Sequence, residues 1–369
     1  MRFQRPAELS VQTPLVSVCI TSYNYGRFLG QTLDSCFAQT YPHIEVILVD
    51  DGSTDDSRKV ITSYGAHVIS VFQENQGQTA AALRGLDMCT GEIVAFLDSD
   101  DVLYPGTIAT AVGEFLAQPG LSRVQWRLRI ADADLKVSSG TVPPLSWTVP
   151  SGDLRSHVLS RRTYVWPPTS GNAYARWALD VVTPHIDRST RYIDFALAET
   201  TAIVGPVANL DAPGGIFRKH GGNTTSSRTD VRDVLRTQMD NVLVGHQNLR
   251  RVASALGLAC PVDPRAAADW AFAQYRLASL RLDPANHPYP GERPLGVAWQ
   301  GIRAVAGQPW MALRARLKRI VLFLLLASVP RQVAEDLTRR ALRNMLPEPA
   351  PEERLAAYAA RRVRGIARK

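Results

Sequence analysis

Cysteine is scarce in this sequence of 369 residues, which has only four. Cys19, Cys36, Cys89 and Cys260 are too far apart for the paired spacing of a zinc site. Cys19 also falls within an apolar strand pattern. We therefore expect small buried thiols in a reducing compartment, and neither a disulfide framework nor a cysteine-bound metal.

Long apolar runs are missing as well. The longest uncharged apolar run, residues 320–329, is half of the about 20 residues that a membrane-spanning helix needs. The first 14 residues lack the apolar segment of a secretory signal, so we expect a cytoplasmic protein. A glycine-rich phosphate loop after the first strand is also absent, which argues against a dinucleotide oxidoreductase or a nucleotidyltransferase.

An excess of positive charge is confined to one end of the chain. The formal net charge is +8, yet residues 1–300 hold 27 basic and 29 acidic side chains. Residues 301–369 hold 15 basic and 5 acidic side chains. The bulk of the protein has no general attraction for nucleic acid, so we expect no nucleic-acid partner.

Apolar runs and helical patterns alternate through the first hundred residues. Runs at residues 15–21, 45–49, 68–72 and 92–97 have the length and β-branched composition of strands. Helical patterns between them predict an α/β fold with a doubly wound, mostly parallel sheet. Residues 123–130 alternate apolar with polar side chains, which predicts a half-exposed, antiparallel strand.

Two acidic clusters follow two of these strands. Asp50 and Asp51 end the second run, and Asp98, Asp100 and Asp101 end the fourth. Ligands of parallel sheets bind beyond the carboxyl ends of the strands. Because clustered carboxylates repel one another, an Asp-X-Asp pattern there favours a divalent cation, although Asp-rich strand ends also form turns and helix caps.

These elements resemble family 2 glycosyltransferases. The similarity lies in VSVCITSYNYGRFLGQTLDSCFAQTYPHIEVILVDDGSTD, ENQGQTAAALRGLDMCTGEIVAFLDSDD, TSGNAYARW, RYIDFALA and FRKHGGNTT, and covers roughly residues 14–226. It implies a GT-A fold and inverting transfer from a nucleotide-sugar. We therefore expect a nucleotide-sugar-binding catalytic domain over residues 1–226 and a helical region over residues 227–369.

The resemblance assigns roles to individual residues. Asp100 would ligate Mn²⁺ or Mg²⁺, Asp98 would face the ribose or the metal, and His220 would be a further ligand. Asp194 matches the catalytic base, although the family often has Glu-Asp where this chain has Ile193-Asp194. The residues implied in nucleotide-sugar binding are Thr21, Ser22, Tyr23, Asn24, Asp50, Asp51, Arg84, Asp98 and Ser99.

The acceptor side follows no pattern that names a sugar. Trp166 could stack on an acceptor ring, or it could be a packed core tryptophan. We expect a metal-dependent transferase that acts on a glycan or lipid-linked acceptor in polysaccharide or glycoconjugate synthesis, with a UDP-sugar as donor. The alternative is a non-catalytic binding or membrane scaffold that has kept this fold.

The basic C-terminal end has three interpretations. Residues 311–329, 331–345 and 352–369 show basic amphipathic patterns. They could form helices packed on the catalytic domain, or they could bind an anionic membrane surface on its cytoplasmic face. Nucleic-acid binding is the weakest interpretation, because residues 311–369 lack interleaved aromatic side chains.

Overall fold

A computed structural model describes residues 13–161, 164–221 and 230–342. The strands are β1 Val16–Ser22, β2 Ile44–Asp50, β3 Ile69–Phe72, β4 Ile93–Asp98, β5 Val102–Leu103, β6 Arg123–Gln125, β7 Leu128–Ala131, β8 Val137–Val142, β9 Asn172–Ala175, β10 Val207–Asn209 and β11 Gly215–Arg218. The helices are α1 Gly26–Phe37, α2 Ser57–Ser63, α3 Gln78–Met88, α4 Thr107–Ala117, α5 Arg155–Arg161, α6 Arg176–Val182, α7 Ile193–Ala202, α8 Val231–Ala255, α9 Trp270–Leu282, α10 Pro294–Ala306, α11 Leu313–Ser328 and α12 Arg331–Ala341.

The main sheet has the order β10-β6-β9-β4-β1-β2-β3. β4, β1, β2 and β3 are parallel, and β9 runs antiparallel to both of its neighbours. β1 pairs Ser22 with Asp50 and Thr21 with Asp98, so β1, β2 and β4 end at the same edge of the sheet. The predicted α/β fold with a mostly parallel sheet is confirmed, and both acidic clusters lie at that edge.

The central strands are buried on both faces, which explains their continuous apolar sequence. Val18, Ile20, Ile47 and Leu48 are fully buried between the two layers of helices. Burying a side chain of this size contributes roughly 1.5–3 kcal/mol, so the sheet is a rigid support for the loops at its edge. Cys19, Cys36 and Cys89 are buried, as predicted, whereas Cys260 is only half-buried.

The segment 123–130 differs from its prediction. It divides into β6 in the main sheet and β7 in a second sheet of order β5-β11-β7-β8. Arg123 and Gln125 are fully buried, so the predicted half-exposed strand is wrong for β6. Hydrogen bonds compensate part of this burial, because Arg123 donates to Tyr164 and Gln125 donates to the Pro150 carbonyl, whereas Arg123 Nε and Gln125 Oε1 are buried without a partner among the described residues.

Helices dominate residues 230–342. Asp230 caps α8, accepting a hydrogen bond from the Arg232 backbone N–H. The C-terminal half of α8 packs on the main core, and α9 to α12 share a second apolar cluster with the first turn of α8. In the described part of the C-terminal region, α11 and α12 therefore pack on their neighbouring helices through this second cluster.

One predicted helix start is wrong. The sequence places it at Asp263-Pro264, and Asp263 does accept from the Arg265 N–H, but only a single 3₁₀ turn follows. α9 begins at Trp270 instead, capped by Asp269. Residue 267 is extended and breaks the continuity between the turn and the helix.

The proposed domain boundary at residue 226 and the amphipathic pattern of residues 352–369 lie outside the described residues. Within the described ranges, none of the helices combines the length and the apolar character that crossing a membrane requires.

Candidate active site

The loop after β1 is fastened to the loop after β2. Asn24 has the left-handed backbone conformation, with φ of 60°, which asparagine tolerates better than most residues. Its side-chain oxygen accepts from the Thr54 N–H at 2.7 Å, and its own N–H donates to the Ser53 hydroxyl at 2.9 Å. Tyr23 stays 46% exposed beside this junction. The loop therefore forms a fixed wall at the carboxyl edge of the sheet.

Asp50 and Asp51 perform different structural tasks. Asp50 accepts from the Ser53 N–H at 2.7 Å and shapes its own turn. The buried Asp51 carboxylate accepts from the Gln73 side chain and from the backbone N–H groups of Gln76 and Gly77, each at 2.8 Å. Asp51 thereby holds the loop that leads into α3. Its predicted contact with the nucleotide base stays a prediction.

The loop after β4 is the most tightly held part of the site. The Thr32 hydroxyl of α1 lies 2.9 Å from the carbonyl oxygens of both Ser99 and Asp101. Ser170 accepts from the Asp98 N–H at 3.0 Å and donates to the Asp101 carboxylate at 2.6 Å. Five residues from three segments thus fix where Asp98 and Asp100 can lie.

We predict that Ser170→Ala lowers the free energy of unfolding by about 1–3 kcal/mol, because a buried carboxylate and a backbone N–H each lose a hydrogen-bond partner. Urea unfolding measures this change. Ser139→Ala, at an exposed position, is the matched control and should leave the midpoint unchanged. Equal stability of the two variants would contradict the bridging role of Ser170.

Arg218 supports the same loop from the other side. Its backbone N–H donates to Asp101 at 2.9 Å, and its buried guanidinium donates to the Asp100 carbonyl at 2.7 Å. The guanidinium carbon also lies 4.6 Å from the centre of the Phe28 ring. Sequence reasoning did not single out Ser170 or Arg218, although both lie in quoted family elements.

Asp98 lies where negative charge accumulates. Its carboxylate accepts from the Gln78 side chain at 2.7 Å, at the start of α3. Burial raises the pKa of Asp98 well above its ordinary value, and the charges of Asp100 and Asp194 raise it further. The structure therefore brings the Asp-X-Asp segment and Asp194 together, although they are almost a hundred residues apart in sequence.

Asp100 and His220 form a close pair. His220 Nε2 lies 3.0 Å from Asp100 Oδ2, and both side chains are largely buried. The imidazole packs against Phe28 and Tyr25, with ring centres 4.5 and 5.5 Å away. No third His, Cys, Asp or Glu completes a metal-binding cluster among the described residues. A pair of this kind suits an ion that takes its other ligands from substrate phosphate and water.

Asp194 lies in the first turn of α7 and is half-buried. Burial raises the pKa of its carboxyl group from 3.8 to about 6, although hydrogen bonds from the Phe195 backbone and the Trp166 side chain oppose the increase. Trp166 also packs edge-on against the Phe195 ring, at 5.6 Å between centres. The base predicted from sequence therefore has a tryptophan partner that the sequence did not reveal.

Trp166→Phe should move the acid limb of the rate–pH profile to higher pH. The indole N–H stabilises the charged form of Asp194, so its removal raises the pKa of Asp194 above about 6. A base is active only above its pKa. Rates of sugar transfer measured between pH 5 and 8 test this, and a uniformly lower rate with an unmoved limb would reduce Trp166 to a packing role.

Arg84 lines a polar cavity of about 300 Å³ together with Gln73, Gln76 and Arg188. Gln73 and Gln76 also donate hydrogen bonds to Asp51, so this cavity adjoins the loop that Asp51 holds. The predicted nucleotide role of Arg84 stays a prediction.

Sequence comparison decides the family. A family model described as Glycosyl transferase family 2 matches residues 17–158. An uncharacterized glycosyltransferase from a Nostoc species is 38% identical over 220 residues, which cover 58% of this chain and 67% of that protein. The chain belongs to glycosyltransferase family 2.

Other similarities are more partial. A Rickettsia prowazekii glycosyltransferase is 37% identical over 27% of this chain, and the match spans 31% of that protein. Chondroitin synthase from Escherichia coli is 25% identical over 60% of this chain, again spanning 31% of its length. The S. aureus TarS 1-349 structure in complex with UDP-GlcNAc has a TM-score of 0.50 and 16% identity, covering 90% of this chain and 92% of that one. The similarity to TarS confirms the GT-A type of fold for this glycosyltransferase.

Proposed function

We propose that this glycosyltransferase is metal-dependent and inverting, and that it moves a sugar from a nucleotide-sugar, a UDP-sugar, to a hydroxyl group of a glycan or lipid-linked acceptor. The observation that carries the proposal is the convergence of Asp194, Asp98 and the Asp100–His220 pair at one edge of the sheet. We place the reaction in the cytoplasm, in the synthesis of a cell-surface polysaccharide or glycoconjugate. The name of the chondroitin synthase that this chain resembles supports that assignment.

Three buried polar atoms without hydrogen-bond partners in the described part of the chain support the binding of a nucleoside at the carboxyl edge of the main sheet. The Ser22 hydroxyl, one Asp50 oxygen and the Gln78 side-chain oxygen are buried and have no hydrogen-bond partner within the described residues. Buried polar groups normally have partners. The hydroxyl and amide groups of a nucleoside are partners of the right kind, and these three residues lie beside the ends of β1, β2 and β4.

The donor set at Asp100 fits a divalent cation. A carboxylate and an imidazole, with Asp98 two residues away, suit Mn²⁺, and Mg²⁺ accepts the same carboxylates. When bound, such an ion neutralises negative charge on the departing diphosphate as a Lewis acid. Arg218 and Ser170 hold the loop in place, so the Asp100 side chain is already oriented towards His220.

Asp194 is suited to the proton transfer. In the proposed step the acceptor oxygen forms a bond to the anomeric carbon while the bond from that carbon to the diphosphate oxygen breaks on the opposite face. The carboxylate of Asp194 takes the acceptor hydroxyl's proton. Its pKa of about 6 leaves it ionised at neutral pH and close to the working pH, where general bases are most effective.

A donor screen tests this function. Nucleotide-sugars are added with Mn²⁺, and the melting temperature and the release of nucleoside diphosphate are recorded. A selective donor should raise the melting temperature by mass action and be turned over. Turnover that persists in the presence of a chelator would contradict the metal site. Selective binding without turnover of any donor, with and without added glycan acceptors, would favour the non-catalytic scaffold.

A further inference from the structure

Seven large apolar side chains are exposed on α10 and α11. Four of them, Leu313, Leu317, Val321 and Leu324, recur every three or four residues and form a stripe along α11. Isolated apolar side chains on a surface are common, but a continuous apolar patch marks an interaction site. The members of this set, named here the α10–α11 face, are Leu295, Trp299, Leu313, Leu317, Val321, Leu324 and Leu325.

The core packing of α11 does not use this stripe. Phe323 and Leu326 point inward and are almost completely buried. Phe323 packs so closely on Gly301 of α10 that a Cβ there would come within 2.2 Å of its ring. The two helices are therefore held together from the inside, while Leu313, at 71% exposed, and Leu317 face outward.

The charged side chains along α10 and α11 have one sign. Residues 293–334 contain no Asp or Glu, and they contain seven Lys or Arg residues. Arg319 is used internally, with its guanidinium 3.7 Å from the Trp270 ring centre. Arg303, Arg314 and Lys318 are exposed, and the last two each follow a leucine of the stripe. Apolar side chains interleaved with exposed cations are the signature of a helix that lies in an anionic lipid interface.

Two other possible occupants of the α10–α11 face carry the same positive charge as the face itself. A second copy docked symmetrically would bring two basic faces together, and like charges repel. Residues 343–369, outside the described part of the chain, hold seven basic and three acidic side chains, so they carry the same sign. An anionic surface is the occupant that matches both the apolar stripe and its cations.

We propose that the α10–α11 face docks this enzyme on an anionic membrane surface. The α11 stripe enters the interface, and Arg314 and Lys318 contact the lipid headgroups. The start of α11 lies near Tyr164 and Val165, because Ala312 and Ala315 line a cavity with them. Membrane docking is a binding event separate from sugar transfer, so it can be tested independently of the proposed reaction.

Co-sedimentation of the full chain with vesicles tests the proposal. The unmodified chain should bind mixed phosphatidylglycerol and phosphatidylcholine vesicles, and bind pure phosphatidylcholine vesicles much less. Leu313→Glu should weaken binding to the anionic vesicles by at least about tenfold, because an apolar anchor is replaced by a like charge. Val262→Glu is the matched control, since Val262 is 74% exposed on the loop after α8, and it should bind like the unmodified chain.

Two further variants measure the electrostatic contribution to vesicle binding. Arg314→Gln and Lys318→Gln should each weaken binding to anionic vesicles about fivefold and leave binding to neutral vesicles unchanged. Failure of the unmodified chain to bind anionic vesicles would overturn the proposal, as would equal binding by Leu313→Glu with its circular dichroism intact. A solution dimer that Leu313→Glu dissociates would also overturn it, by showing a second copy on the face.

Discussion

Asp194→Asn is expected to lower the rate of sugar transfer by about 10²–10⁴-fold, the usual effect of removing a general base. Nucleotide affinity should stay within about twofold, because the amide keeps the shape of the side chain and the base does not hold the donor. Steady-state rates and calorimetric titration with nucleotide measure the two quantities. Normal transfer by the variant would remove Asp194 as the base.

We also predict how the stability of the Asp194→Asn variant depends on pH. The pKa of Asp194 is raised by burial, so its neutral form is favoured in the folded state. The stabilisation that the neutral carboxyl group gives to the folded state is fully present below pH 3.8, the ordinary pKa of Asp, and is lost as the pH rises through about 6. Asparagine is neutral at every pH. The melting temperature of the variant should therefore match the unmodified chain near pH 4 and exceed it above pH 7. A variant that is less stable at both pH values would show that the carboxylate itself holds α7 in place.

Asp100→Asn is the second large effect that we expect. Metal-supported donor turnover should fall by at least about 10³-fold, because an anionic ligand is lost where charge develops on the leaving group. The Mn²⁺ concentration that gives half-maximal turnover should rise as well. Release of nucleoside diphosphate, measured over a series of Mn²⁺ concentrations, gives both the turnover rate and the half-maximal Mn²⁺ concentration.

The control for this variant is Asp211→Asn, which removes an exposed carboxylate outside the site. It should leave turnover and Mn²⁺ dependence unchanged. His220→Asn should resemble Asp100→Asn with a smaller loss, because it removes a neutral ligand from the same pair. Asp100→Asn with unaltered Mn²⁺ dependence would place the metal elsewhere.

Much of the catalytic half was predictable because its signals are local. The β-branched runs identify β1, β2 and β4 without knowledge of the fold, since strands buried on both faces must be continuously apolar. Parallel strands then bring their carboxyl ends together, which places Asp50 beside Asp98. The sequence does not reveal that β6 is buried, because its alternating pattern is the same for an exposed edge and for a strand whose polar side chains are bonded internally.

The sequence does not reveal which residues contact the site residues. The sequence allows Trp166 to stack on an acceptor, whereas in the structure its side chain acts on Asp194 and opposes the increase that burial causes in the pKa of that carboxyl group. The bridge through Ser170 joins Asp101 across 69 positions. A residue's type shows what it can bond to, but packing selects the partner from many candidates.

The sequence by itself determined the α/β class, the acidic strand ends and the basic character of the C-terminal end, because these depend on composition and on patterns a few residues long. Only the tertiary structure decided that Asp100 meets His220, 120 positions away, and that Asp194 faces Asp98. It also decided which side of α11 is used by the core and which side is left outside with its cations. The physical reason is that an amphipathic pattern specifies an apolar side but not the surface that covers it, and long-range pairs form only when the packed sheet and helices bring distant segments together.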